Sequence, residues 1–326
     1  MVGLRNGTKL HLEENLMTEL KDDAFLPMLE DLGEKGRIFL SSNPIQCDSW
    51  LALSLNVPKY LQRLQGVNCR SYGGRSEFYM LGNSAVQHLP ERVFGNMTFD
   101  DIIISETSLV SVDPMALLSS KNRLKILIIS NSTLEEFPFQ VIPQMTNLTI
   151  LEITDSPLKS LPALRSSSLE IVRLSHNRIG RLLPGWFMPK LRKLDISNNP
   201  IPEIPRGLLE GFRNLTSFDA SHCNLGPTLS NGSLVFHSKD LSNVSLRFNG
   251  IVRLEPGAIA GLTRNTLVDL SGNNITRLTE DTFRPMLQFL SQQKSGIIIS
   301  LSQFHGCLLF LTMDLHVVDQ DYGSAT

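Results

Sequence analysis

Apolar residues recur along this chain in a fixed register. Leu191, Leu194, Ile196 and Ile201 take positions one, four, six and eleven, with Asn199 at position nine; Leu169, Val172, Leu174, Asn177 and Ile179 repeat the pattern one period earlier. With the sixth position as marker, the register falls at Leu81, Ile104, Ile129, Ile153, Leu174, Ile196, Ala220, Leu246 and Leu270, at spacings of 23, 25, 24, 21, 22, 24, 26 and 24. One copy means little, because leucine is common; nine copies in phase are a strong signal. Alternation around positions four and six requires a short strand, whose positions three and five face away from the core. Each period therefore predicts a strand, a tight turn and an irregular or briefly helical return.

This self-similarity marks a leucine-rich-repeat solenoid, an α/β architecture with a parallel sheet on the concave face and irregular or short-helical convex returns. No coil is stable alone; each buried leucine-sized side chain contributes about 2 kcal/mol only once its neighbours cover it. At position nine the chain turns and buried backbone groups lose their sheet partners, so an inward side chain has to satisfy them. That row reads Ser84, Thr107, Ser132, Ser156, Asn177, Asn199, Cys223, Asn249 and Asn273. Hydroxyls make fewer such bonds than asparagine, which predicts a less regular first half. Cys223 reads as a small buried member of the row, with a reactive thiol as the other reading. Phe94, Phe137, Phe139, Phe212 and Phe283, each close to a proline, read as a convex hydrophobic spine.

A second, longer repetition underlies the first. Residues 18–32 and 276–290 align without a gap, sharing Thr18/Thr276, Leu20/Leu278, Asp23/Asp281, Phe25/Phe283, Pro27/Pro285, Met28/Met286, Leu29/Leu287 and Leu32/Leu290. The chain thus divides into 1–42, the end of a preceding repeat module; 43–75, a cysteine-containing cap-like segment; 76–302, a nine-coil solenoid; and 303–326, a tail without repeat logic. The tail is expected not to be native cap sequence, and a divergent cap is its alternative.

The stretches Phe99-Asp100-Asp101-Ile102-Ile103-Ile104, Glu136-Phe137-Pro138-Phe139, Phe283-Arg284-Pro285-Met286-Leu287 and Asn43-Pro44-Ile45-Gln46-Cys47 carry a family likeness. The chain resembles secreted crustacean leucine-rich-repeat proteins similar to the non-catalytic subunit of Oplophorus-luciferin 2-monooxygenase. The resemblance implies an extracellular, non-enzymatic binding or stabilising subunit, and a cap in which Cys47 and Cys69 form a disulfide; two free thiols are the alternative. It does not imply that this chain associates with a luciferase. Glycosylation acceptor patterns occur at Asn6, Asn96, Asn131, Asn147, Asn214, Asn231, Asn243 and Asn274, with Asn96, Asn131, Asn243 and Asn274 the expected acceptors. Asn147 and Asn214 also fit the repeat consensus. These features outweigh the absence of a secretion signal at the first residues.

The concave strand positions are the expected binding face. Phe78, Met80, Ile103, Ile126, Ile128, Ile150 and Ile171 form its apolar part, and Glu152, Arg173, Lys193, Asp195 and Asp219 its charged part. Two readings of the apolar part stand: an interface, or β-branched residues chosen for strand propensity. The expected partner is a protein, with a glycan as the second class. Asp195 and Asp219 on adjacent strands raise a remote glycosidase-like reading; against it, Arg173 and Lys193 can neutralise the carboxylates. His176 and His222 share position eight two coils apart, too far for one metal. No cofactor or metal is expected. With 30 basic and 32 acidic residues the net charge is −2, which gives no nucleic-acid signal. No apolar run reaches the roughly 20 residues of a membrane span. An intracellular repeat scaffold is the alternative to the secreted subunit.

Overall fold

A computed structural model describes residues 7–43, 64–65, 76–289 and 296–298, apart from residues 19, 33–34, 41–42, 83, 85, 92 and 95–96. The chain forms two compact units, Met1–Leu134 and Glu135–Thr326.

In the first unit, strands β1 (Lys9–His11), β2 (Arg37–Phe39) and β3 (Leu64–Gln65) pair in parallel, with helix α1 (Asp22–Asp31) between β1 and β2. Asn43 is buried and serves as the position-nine side chain of the β2 coil: its Nδ2 donates to Leu12 O at 2.7 Å and Leu40 O at 3.0 Å. Strands β4 (Glu77–Leu81), β5 (Asp101–Thr107) and β6 (Ile126–Ser132) form a second parallel run. Asp100 anchors it. Burial alone would raise its carboxyl pKa, but the Ser76 N–H, Arg123 and Lys125 outweigh burial and hold it below the usual carboxylate value.

The second unit contains β7 (Ile150–Thr154), β8 (Ile171–Arg173), β9 (Lys193–Asp195), β10 (Ser217–Asp219), β11 (Asn243–Ser245) and β12 (Leu267–Asp269), all parallel and each paired to the next in sequence. A helix, Glu280–Phe289, and strand β13 (Gly296–Ile298) follow, β13 pairing with β12. The order helix then strand repeats that of α1 and β2, so the two aligned sequence stretches fold alike. The fold is the leucine-rich-repeat solenoid, with Leu169, Leu174, Leu191, Ile196 and Ile201 fully buried between coils.

Asparagines at position nine bridge consecutive coils. Asn199 Nδ2 donates to Leu174 O of the preceding coil at 2.8 Å and to Ile196 O of its own at 3.0 Å, while its Oδ1 accepts from Ile179 N at 3.0 Å. Asn249 and Asn273 repeat this, each accepting from two backbone N–H groups of the coil before. Cys223 occupies the row fully buried, its thiol donating to Ile196 O at 3.2 Å. Thr107 and Ser132 instead bond to each other at 2.9 Å. Asn177 stands at the junction of the two chemistries: its Nδ2 donates to Ile153 O, but its buried Oδ1 has no partner, because Ser156 N donates to His176 O. The expected irregularity does not extend to strand length, where the difference runs the other way. β5 and β6 span seven residues each, while β8 to β12 span three.

Two assignments in the first coil are corrected. β4 pairs Phe78 with Ile102 and Met80 with Ile104, so Met80, not Leu81, holds position six. Phe78 and Met80 are 1% and 4% exposed and belong to the core, where Phe78 meets Phe94 and Phe99 at centroid distances of 5.0 and 5.8 Å. Tyr79 and Leu81 take the open face, and Ser84 is exposed rather than a member of the inward row. The one-residue slip exchanges every side chain between faces.

Candidate binding face

The open face of each sheet carries the side chains at positions three and five. In the first unit, Ile103, Ile126 and Ile128 lie there half-buried, with Asp101 and Ile126 paired across β5 and β6 as Ile103 is with Ile128. Tyr79 at 45% and Leu81 at 63% exposure extend this apolar surface over β4. Neither was expected there. Residues 78–81 are all apolar, so alternation alone could not choose a face.

In the second unit, Ile150, Ile171 and Lys193 lie side by side at position three, and Glu152, Arg173, Asp195 and Asp219 at position five. Arg173 Nη1 pairs with Glu152 Oε2 at 2.8 Å. It is therefore committed to Glu152 rather than to the aspartates. Asp195 Oδ1 accepts from Ser197 N and Oγ at 3.0 and 2.7 Å, and Asp219 Oδ1 accepts from Ser221 N and Oγ at 2.9 and 2.7 Å. Asp269 does the same with Ser271. These aspartates thus hold the turn that ends their own strand, a structural task repeated coil after coil.

Position eight has a conformational rule that the sequence register alone did not reveal. Gly82, Glu106 and Asn131 in the first unit, and Asp155, His176, Asn198, His222, Phe248 and Gly272 in the second, all have left-handed backbone, φ between 44° and 70°. The chain must reverse sharply there to bring position nine inward. Glycine, asparagine, aspartate and histidine tolerate that conformation, whereas a bulky phenylalanine is an outlier. The available signal was the recurrence of those tolerant residue types at every place in the column but Glu106 and Phe248. His176 Nδ1 lies 3.9 Å from Asp155 Oδ1, and His222 stacks on Phe248, with ring centroids 4.5 Å apart. Among the described residues no group of three or more His, Cys, Asp or Glu could hold a metal ion, and no helix is long and apolar enough to cross a membrane.

Of the expected glycosylation acceptors, Asn131 and Asn274 are exposed and Asn243 is half-buried on the open face of β11; Asn96 lies outside the described residues. So do Cys47 and Cys69. Asn214 Nδ2 donates to Pro189 O at 2.7 Å, a bond from one coil to the preceding one. Burial pushes the Cys223 thiol up to about 12, despite a hydrogen bond from the Asn199 backbone. That leaves it protonated and poorly nucleophilic.

Comparison with known proteins agrees with this architecture. The leucine rich repeat family pattern matches residues 167–225. The Oplophorus-luciferin 2-monooxygenase non-catalytic subunit of Oplophorus gracilirostris is 27% identical over 229 residues, covering 66% of this chain and 61% of that protein. Human oligodendrocyte-myelin glycoprotein is 28% identical over 149 residues, 45% of this chain and 32% of that one. The chain therefore spans less than two thirds of the length of these relatives. Among solved structures, a chain of the octameric complex of Latrophilin 3, Unc5D and FLRT2 superposes with a TM-score of 0.55 at 17% identity, covering 81% of this chain and 74% of that chain. The likeness to it is one of fold.

Proposed function

We propose that this chain is an extracellular, non-catalytic binding or stabilising subunit that recognises a protein partner through the open faces of its sheets. The observation that carries the reading is the apolar surface of the first unit, where Ile103, Ile126 and Ile128 accompany the exposed Tyr79 and Leu81. The fold would be served equally by polar residues at these positions, as the second unit shows with Lys193, Asp195 and Asp219. Exposed apolar surface of this kind marks interaction sites. The similarity to a protein named as a non-catalytic subunit supports the same role. So does the turn-holding role of Asp195 and Asp219, whose Oδ1 atoms bond their own serines and so account for both residues without catalysis. A glycan is the second partner class, and an intracellular scaffold the second setting.

The test is affinity capture from native tissue with the whole chain and with an Ile126→Ser, Ile128→Ser double variant. The variant is expected to keep its circular dichroism and melting profile and to lose the partner recovered by the parent chain. Equal recovery by both would refute this face as the interface.

A further inference from the structure

One coil of the second unit gathers positive charge where its neighbours carry none. Positions two and three of the β9 coil are Arg192 and Lys193, whereas the two coils before it have Thr149 with Ile150 and Glu170 with Ile171, and the two after it Thr216 with Ser217 and Ser242 with Asn243. Lys190 precedes Arg192 by two residues. The next coil adds Arg213, because Asn214 Nδ2 donates to Pro189 O and so sets Arg213 and Asn214 beside Pro189 and Lys190. All four cations are exposed. Among the described residues, the ion pairs of the second unit involve none of them. Glu170 and Asp195 are the acids nearest in the register. Glu170 holds position two of the preceding coil, where its backbone carbonyl accepts from Arg192 N at 2.8 Å, and Asp195 Oδ1 is held by Ser197. The cations outnumber these acids, in a chain whose net charge is −2. Like charges gathered without partners repel one another and add nothing to the fold; what they create is a local field that attracts negative charge.

We infer that Lys190, Arg192, Lys193 and Arg213 form a docking edge for an acidic segment of a partner protein that also carries aliphatic side chains. This rests on the protein-binding reading above and specifies the partner's chemistry. The sign follows from charge complementarity. Arg173, the other cation of this part of the face, is already paired with Glu152 at 2.8 Å, so Lys193 and the three cations beside the start of β9 are the ones left for a partner. The aliphatic part follows from row three. There Ile150, Ile171 and Lys193 stand in register on β7, β8 and β9, with adjacent strands about 4.8 Å apart. Both isoleucines are half-buried and keep part of their side chains open. A segment crossing these strands meets two apolar side chains, then Lys193, and then Arg192 at the edge. A sulfated polysaccharide would neutralise the cations but has no aliphatic group to lay on the isoleucines. Rim charges of this kind act on partner choice and on the rate of encounter, and salt weakens their effect.

The experiment probes an array of synthetic nonapeptides with the labelled whole chain. The array contains spots combining Asp or Glu with Leu or Ile, matched spots with Lys in place of the acid, matched spots with Gly in place of the aliphatic residue, and separate spots of a sulfated polysaccharide and of single-stranded RNA. Parent protein is expected to bind the acidic–aliphatic spots most strongly, with signal falling as salt rises. Lys190→Gln, Arg192→Gln, Lys193→Gln and Arg213→Gln together should lower that signal about tenfold. Arg178→Gln, Arg181→Gln, Arg253→Gln and Arg277→Gln together remove the same charge from exposed positions beyond the turn at position nine, and should leave the signal unchanged. Arg192→Glu with Lys193→Glu should turn the preference toward the basic spots, a gain that an unfolded chain would not show. Equal binding to acidic and basic spots, undiminished signal in the first variant, equal loss in the second, or no bound spot would each overturn the docking edge while leaving the tissue-capture test of protein binding to stand by itself. Binding to the polysaccharide or the RNA without any peptide would overturn both.

Discussion

At the residue scale, the ninth position shows how one side chain can stand in for missing sheet partners. Asn199 bonds three carbonyls and one N–H across two coils. Asn199→Ala removes all four bonds in a fully packed site, and buried groups left without partners cost about 1 to 3 kcal/mol each. We expect a loss of at least about 2 kcal/mol in urea denaturation, against less than about 0.5 kcal/mol for the exposed Arg192→Ala. Cys223 gives a second prediction. Burial raises its thiol from 9.0 to about 12. Below pH 9 both folded and unfolded chains keep the proton, and stability does not depend on this group. Above pH 9 the unfolded chain ionises while the folded chain does not, so stability falls as pH rises, by up to about 1.4 kcal/mol per unit until about pH 12. Cys223→Ser should flatten that slope in denaturation curves taken between pH 8 and 11. In the native parent, alkylation of Cys223 at pH 8 should be slow and accelerate only on unfolding; rapid native labelling would contradict the assignment.

At the element scale, the left-handed position eight converts each strand into a turn. Asn198 adopts a φ of 54°. Asn198→Val places a β-branched residue there and should destabilise by about 1 to 2 kcal/mol, while Asn198→Gly should be close to neutral. Equal melting temperatures for the two variants would show that the turn is not conformationally selective. The strands themselves were legible in the sequence, because positions four, six and eleven keep their leucine-like character through most coils and the asparagine row fixes the phase. The phase failed in β4. There Phe78, Tyr79, Met80 and Leu81 give no polar residue to mark the open side, and preference for leucine selected the wrong alternate. Packing decided it, since only Phe78 can complete the cluster with Phe94 and Phe99. For the same reason the candidate site was legible from Ile103 onward but not at its beginning. The outlier at position eight, Phe248, was also present in the sequence. It becomes visible only when position eight is known to be left-handed, and hydrophobic periodicity carries no information about φ.

At the scale of the whole molecule, the long repetition matters more than any single coil. The element made of α1 and β2 recurs as Glu280–Phe289 and β13, and Phe25 and Phe283 are buried at 6% and 3% exposure in equivalent places. Within each unit the parallel strands present an open face, which fits the proposed binding role. The setting in which it binds decides its covalent chemistry, and the secreted and intracellular readings diverge on the same sample. Material from the native tissue, if secreted, should lose mass on treatment with an N-glycosidase, and glycopeptides should map to exposed acceptors such as Asn131 and Asn274. Occupancy at Asn214 should be low, since its Nδ2 is already given to Pro189. Denatured under non-reducing conditions, secreted material should titrate two thiols fewer than its four cysteines, because the secreted reading proposes a Cys47–Cys69 disulfide. Both outcomes belong to the secretory pathway, whose oxidising lumen lets the disulfide persist. Four free thiols together with an unchanged mass would place the chain in a reducing compartment and leave the open faces to serve an intracellular scaffold.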